Sequence, residues 1–503
     1  MLERLLAAGL CPEKSLRLAR ALHRARRWRA ARQLLERLPG REHDFRVALE
    51  LGLLAFDAQD YPRALAHLRA ARRLARRPEQ VERAWFYLSR TLGRLDRDRE
   101  AVHSHLQMVA RYPRGRRADR ALYYAGWLLR NDGDCPGAVR LFTRLQREYP
   151  RSRWLAEARW FTALCQLRRG HWSQALETLR PQWRAADPEV AARAVYWSVR
   201  AARQNGRRRL AERLLTRLAD HHPLSWYGLL AAMQPGWRFT LPPRRDLGPP
   251  RPRQHPRLER ILVLSRTGLE SWARALLKDA WRRAGERHNR AWRLAVADAS
   301  RRAGDCHLAW RLAGELGAAA VRGLPDPDEV PLWQAAWPDC YLETVRRQAG
   351  NDELALFLLS IMRTESGFDP AAQSVADARG LLQLIDEVAR PAARALGLEY
   401  HPDRLFEPGY NIRLAAWHLG RLLERYRDNF WLAAAAYNAG AAAVDHWLEE
   451  FGDLPADLFA ELIPWTETRR YFKRVLTAWA HYAFLRGGPM PMPSLDPPAR
   501  AHP

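Results

Sequence analysis

Nowhere in the 503 residues does an apolar run reach the length of a membrane span. Cysteine is scarce. Cys11, Cys135, Cys165, Cys306 and Cys340 are scattered and odd in number, which argues against a disulfide framework and against a compact zinc site, and no function is assigned to them. The N-terminus, MLERLLAAGLCPEKSLRLAR, mixes both charge signs without the basic, apolar, small-residue order of a signal peptide. By itself that leaves a cytoplasmic chain or a start downstream of a targeting segment. Lysine is rare enough that the positive charge is nearly all arginine.

That charge is unevenly placed. The chain carries 83 Lys+Arg against 56 Asp+Glu, a formal +27. Residues 346 to 488 hold sixteen basic and nineteen acidic side chains, so the first 345 residues carry +30. A surface of that kind attracts a polyanion: nucleic acid, an anionic cell-wall polymer or acidic lipid headgroups. Genomic base composition alone also produces an arginine-rich, lysine-poor balance.

The first half repeats. Ala64, Ala101, Ala138 and Ala175 stand 37 residues apart, Ala211 follows after 36, and Ala84, Ala121 and Ala158 keep the 37-residue step. With aromatics such as Trp85, Tyr123, Trp160 and Tyr196, and proline at the unit ends, this describes paired helices stacked like tetratricopeptide units. The spacing predicts an α-superhelical solenoid over residues 1–240. The run QPGWRFTLPPRRDLGPPRPRQHP breaks it, a helical linker domain is expected over 241–340, and a last helical domain over 341–488. A disordered tail, 489–503, is predicted to follow. The fold class is therefore all-α.

In the last domain one carboxylate lies in an awkward place. ELALFLLSIM is almost continuously apolar, and Glu365 falls three residues after Met362, four after Ile361 and seven after Leu358, on the inward stripe of one helix. Desolvation there raises a carboxyl pKa and suits a general acid. The structural alternative is a salt-bridge partner at a helix end. Downstream, QSVADARGLLQL offers Ser374, Gly380 and Gln383, LFEPGYNIRLAAWHL reads as a capped amphipathic helix, AAAAYNAG offers Tyr437 and Asn438, and IPWTETRRYFKRVL brings Glu467 and Arg469. Uncharged hydrogen-bonding groups of this kind fit sugar hydroxyl and acetamido groups.

Taken in order, Glu-Ser after an apolar helix, G-L-x-Q, N-I-x-L, A-Y-N-A-G and E-T-R-x-Y resemble the lysozyme-like catalytic domain of soluble lytic transglycosylases, which cleave peptidoglycan. That family's larger members carry a superhelical domain and a linker domain before the catalytic one. The resemblance implies that Glu365 is the sole catalytic acid and base, oriented by a hydrogen bond from Tyr437. Ser374, Gln383 and Asn438 would contact the glycan and Glu467 would line the same cleft. It implies cleavage between N-acetylmuramic acid and N-acetylglucosamine with a 1,6-anhydro product, no cofactor, peptidoglycan strands as partner and a periplasmic location. Cell-wall synthesis proteins are further candidate partners. The sequence departs from the family's pattern at Asp377, Leu382, Asp386, Ala415 and His418. Asp377 tolerates left-handed backbone and so keeps the loop's shape, while adding a carboxylate. Two competing readings remain: a peptidoglycan-binding scaffold without turnover, and a cytoplasmic solenoid that binds RNA or protein, which leaves the last domain unexplained.

Overall fold

The computed structural model describes residues 12–25, 27–242, 255–283, 290–317 and 323–494. Among these the protein is all-α, with 26 α-helices and, in place of strands, only the isolated bridges Gln373–Arg379 and Arg379–Leu384. Most of the proline-rich run, Cys11 and residues 495–503 lie outside the described residues. The described start of the expected tail is irregular but not loose, since Pro491 and Pro493 are buried.

The chain divides into two compact units, one up to Gln182 with residues 204–206, the other comprising residues 183–203 and 207 onward. In the first unit, antiparallel helix pairs such as Ala118–Asn131 and Cys135–Glu148 follow one another at the predicted period. Ala64, Ala101, Ala138 and Ala175, and likewise Ala84, Ala121 and Ala158, are wholly buried. Small residues are needed because the backbones approach closely. A Cβ on Gly126 would come within 2.7 Å of the Phe142 ring on the next helix. Asp60 and Asp134 cap helix starts, accepting from the Arg63 and Gly137 N–H groups at 3.3 and 2.8 Å.

The cysteines depart from expectation. Cys135 pairs with Cys165 and Cys306 with Cys340, across Cα separations of 5.5 and 5.9 Å. An antiparallel helix pair brings the start of one helix beside the end of the next, so cysteines 30 residues apart meet without any short spacing in the sequence.

The second unit also differs from the expected boundaries, because the last repeat helices belong with the C-terminal domain. Tyr196 donates to Asp457 at 2.6 Å, and Arg200 forms an ion pair with the same carboxylate. Tyr227 donates to Glu461 at 2.7 Å, while Lys473 donates to Glu461 at 2.8 Å and to the Tyr227 hydroxyl at 3.0 Å. Around these buried polar contacts Trp226 packs edge-on against Trp431 and Phe472. Cooperative packing, not the proline-rich run, sets the division.

Candidate active site

The helix Asp352–Glu365 starts where the Asn351 side chain accepts from the Leu354 N–H at 2.8 Å, with Asp352 and Glu353 in its first turn. Ala355 to Met362 are all buried. The helix stops at Glu365 because the chain then turns sharply, Gly367 and Phe368 both taking positive φ. A Cβ on Gly367 would strike the Trp310 ring at 2.3 Å, so glycine is required there. Ser366 fixes the end of the helix by donating to the Leu381 carbonyl at 2.7 Å.

Glu365 is half-buried. Burial raises its carboxyl to about 7; the Tyr471 hydroxyl and Arg474 pull it down, and the charge of Glu467 pushes it up. Near neutrality such a group is present in both forms, able to give a proton and to take one. Tyr471, itself buried, donates to Oε1 at 2.6 Å.

The tyrosine expected to hold the acid does something else. Tyr437 donates its hydroxyl to the Leu382 carbonyl at 2.7 Å, although it lies close enough for the charge of Glu365 to add to burial in raising its own pKa. Tyr471 makes the contact assigned to Tyr437. The sequence held a signal for it: Tyr471 falls four residues after Glu467 on the helix Thr466–Arg486, and side chains at that spacing share a face.

The loop after the acid is rigidly built. Gly380 has φ +76, and a Cβ there would meet the Leu405 carbonyl oxygen at 2.0 Å. Asn411, wholly buried and overlooked as a site residue, accepts from the Leu382 N–H at 2.9 Å and donates to the Arg379 and Leu405 carbonyls at 3.0 and 2.9 Å. Gln383 turns its amide nitrogen inward, to the Ala372 and Gly380 carbonyls. Ser374 is exposed and accepts from the Ala378 N–H at 3.0 Å, closing a turn. Asn438 accepts from Thr468 at 2.8 Å, and Glu467 is exposed in the first turn of its helix.

The departures have local partners. Asp377 takes φ +61, and Gln373 and Arg379 hold its carboxyl below the usual range, so the added charge is paired. Asp386 accepts from Tyr400 at 2.6 Å. Leu382 is fully buried and supplies the carbonyl that holds Tyr437. His418 lies 5.6 Å from the Tyr437 ring, and burial lowers its pKa to about 4, leaving a neutral imidazole. Among the described residues no three His, Cys, Asp or Glu side chains group as metal ligands would.

A helical repeat unit is thus followed by a lysozyme-like domain with one carboxyl poised near neutrality. Residues 345–459 match the family described as Transglycosylase SLT domain, and residues 120–152 match a tetratricopeptide repeat. A putative soluble lytic murein transglycosylase of Haemophilus influenzae is 40% identical over 152 residues, 30% of this chain and 26% of that protein. The Salmonella typhimurium soluble lytic murein transglycosylase is 28% identical over 299 residues, 58% of this chain and 44% of that one. The matches thus span less than half of these relatives. Among solved structures, an inactive mutant of the Pseudomonas aeruginosa lytic transglycosylase Slt superposes with a TM-score of 0.58 at 23% identity, over 97% of this chain and 75% of that one. The 70 kDa soluble lytic transglycosylase of Escherichia coli gives 0.51 at 17% identity, over 97% and 88%. These two establish the fold. Over residues 345–459 the chain is similar to the Transglycosylase SLT domain family, and over nearly its whole length it shares the fold of soluble lytic transglycosylases.

Proposed function

We propose that the protein is a lytic transglycosylase that cuts peptidoglycan between N-acetylmuramic acid and N-acetylglucosamine and leaves 1,6-anhydro ends. The observation that carries this is Glu365, a carboxyl at the end of an apolar helix, raised by burial to about 7 and held by Tyr471, with Glu467 exposed in the first turn of its own helix. Hydrolysis with inversion or retention uses a pair of carboxylates at a set distance. Intramolecular attack needs one. Protonated Glu365 gives its proton to the glycosidic oxygen as the bond to the muramic C1 breaks. The resulting carboxylate, kept in place by the Tyr471 hydroxyl, takes the proton of the muramic 6-hydroxyl, whose oxygen bonds to C1. Glu365 ends as it began, and no water is consumed.

In this reading residues 341–488 form the catalytic domain and 241–340 the linker, while the repeat domain, 1–240, has its last helices in the second unit. Tyr437 acts at the site by fixing the Leu382 carbonyl beside the acid, and Tyr471 positions the acid itself. Ser374, Gln383, Asn438 and Glu467 face the glycan. A periplasmic location is supported by the two disulfides, which form and persist in oxidising compartments. Among the described residues no helix is long and apolar enough to cross a membrane.

The test is incubation of the purified chain with peptidoglycan sacculi and mass spectrometry of the soluble products. Anhydromuropeptides are expected; products one water heavier, or none, overturn the proposal.

A further inference from the structure

The 37-residue step recurs in the repeat unit as chemistry. Glu79, Arg116 and Arg153 stand 37 residues apart, as do Gln80, Arg117 and Trp154, and Arg83 and Arg120. All lie at or just before the starts of three helices, Pro78–Arg94, Ala118–Asn131 and Leu155–Arg168. They line one cleft of about 760 Å³ together with Arg151, Phe45, Ser152 and Asp119.

Charge in this cleft is poorly balanced. Arg83, Arg116, Arg117, Arg120, Arg151 and Arg153 face Glu79 and Asp119, with the buried Glu82 carboxylate bonded to the Arg117 N–H behind them, and Asp119 is already engaged by the Ser152 hydroxyl at 2.6 Å and the Arg120 N–H at 2.7 Å. Among the described residues none of the six arginines forms an ion pair. The Nε groups of Arg83 and Arg120 are buried without an acceptor, and a buried N–H left unpaired is destabilising. The three helix starts add positive dipole ends on the same side, while Gln80, Glu82, Asp119 and Ser152 take the N–H groups of Arg77, Arg117, Arg120 and Trp154. An apolar platform runs alongside: Trp154 stacks on Tyr123 at 4.6 Å, and the guanidinium of Arg120 lies over Phe86, Tyr124 and Trp154 at 5.0, 5.5 and 5.6 Å.

Six like charges gathered without an ion pair, two with orphaned donors and two lying over aromatic rings, describe a site waiting for several anionic groups at once. Guanidinium forks match carboxylates bidentately. Repetition along the chain calls for anions arranged in a row, and the aromatic platform calls for apolar groups between them. We propose that this cleft binds the peptide stems of peptidoglycan through two or more of their carboxylates, holding the protein on its polymer from the repeat unit. The inference rests on the peptidoglycan reading above, and it assigns that reading a second binding site remote in sequence from Glu365.

The test uses the full chain carrying Glu365→Gln, so that polymer is bound and not cut, and measures binding by co-sedimentation with intact sacculi and with sacculi stripped of stems by an amidase. Arg116 and Arg153 are exposed, so Arg116→Glu with Arg153→Glu leaves the fold intact, which a thermal melt verifies. Arg140→Glu with Arg168→Glu, also exposed in the same unit but outside the cleft, makes the same charge change. The cleft variant is expected to bind intact sacculi at least about tenfold more weakly, since charge-assisted contacts are the stronger hydrogen bonds. It should match its parent on stripped sacculi, and the control pair should change binding less than about twofold. Equal losses in both variants, or the same loss on stripped glycan, overturn the inference in favour of net charge or sugar binding. Competition by polyphosphate stronger than by free stem peptide also overturns it, in favour of a phosphate polymer. Release of anhydromuropeptides by the unsubstituted chain is followed in parallel. Cutting with no cleft effect sinks this inference alone, and stem binding without cutting sinks the catalytic reading alone.

Discussion

The repeat unit and the C-terminal domain handle charge in opposite ways. Up to Gln182 the buried positions are mostly small or apolar, and in one cleft six arginines collect near helix starts without ion pairs, the same kind of residue returning there every 37 positions. From Tyr341 onward charges are fewer and individually placed, and the buried ones are engaged: Lys473 with Glu461, Asp457 with Arg200, Glu365 with Tyr471. Periodic placement suits a polymer, whose recognition is also periodic. A reaction happens at one bond, and it needs one group whose surroundings occur once.

The sharpest way to break this contrast is at the acid. Glu365→Gln keeps shape and cannot deliver a proton, so release of anhydro products should fall by about a thousandfold, within the usual range for a lost general acid. Stability should respond in the other direction. The folded carboxyl holds its proton up to about 7 against an ordinary 4.5, so it favours folding at low pH and that contribution is lost as pH rises through this window. Compared with Glu365→Gln, the unsubstituted protein should therefore lose about 1–3 kcal/mol between pH 5 and pH 8, the upper part of the shift being discounted for contact with solvent. Denaturant melts of both at the two pH values check it; a pH-independent difference means the carboxyl is not desolvated.

Next in size is the buried pair. Lys473→Met takes the buried cation from Glu461 and leaves it the Tyr227 hydroxyl and the charge of Arg193, and removing one partner of a buried pair costs about 3–5 kcal/mol. A double change, Lys473→Met with Glu461→Leu, should recover much of that loss. If the single change costs under about 1 kcal/mol, the polar contacts to Tyr227 do not hold the last repeat helices to the C-terminal domain.

Cys135→Ser with Cys165→Ser tests the repeat unit in the same currency. Closing a loop of 30 residues stabilises by about 3–4 kcal/mol in the chain-entropy view, and engineered or removed bridges often deliver less. The denaturation midpoint of the repeat unit should drop while the initial rate on small soluble glycans stays unchanged. A lower rate in fully folded protein would mean that the two regions are not separable in this way.

How much of this was legible in the sequence depends on whether the signal was local. The 37-residue alanine series named the repeat fold because each wholly buried alanine marks the same close approach. Glu365 was legible for a similar reason: its helical stripe is contained in ten residues. The disulfides were not, because their partners meet only after helices fold back on one another. Nor were the unit boundary, which depends on Tyr196 and Tyr227 reaching Asp457 and Glu461 more than 200 residues away, and the roles of Asn411 and Tyr471. The five motif blocks contained both residues. They could not say which hydroxyl touched the acid, since Tyr437 and Tyr471 are equally suited by chemistry and only the fold distinguishes them.

That distinction gives the smallest and most specific expectation. Tyr471→Phe removes the hydroxyl that stabilises the Glu365 anion, so the carboxyl pKa should rise above about 7 and the alkaline limb of the rate profile should move with it. Turnover should fall by about ten- to a hundredfold with KM nearly unchanged, since the tyrosine acts through the acid. Tyr437→Phe removes a hydroxyl bonded to a backbone carbonyl, and its effect should be smaller, about three- to tenfold, with the pH profile left in place. A merely structural role for Tyr471 would lower the rate without moving the limb. If the limb moves in Tyr437→Phe and stays in Tyr471→Phe, the two tyrosines exchange roles, and the family's expected contact is the one that operates during turnover.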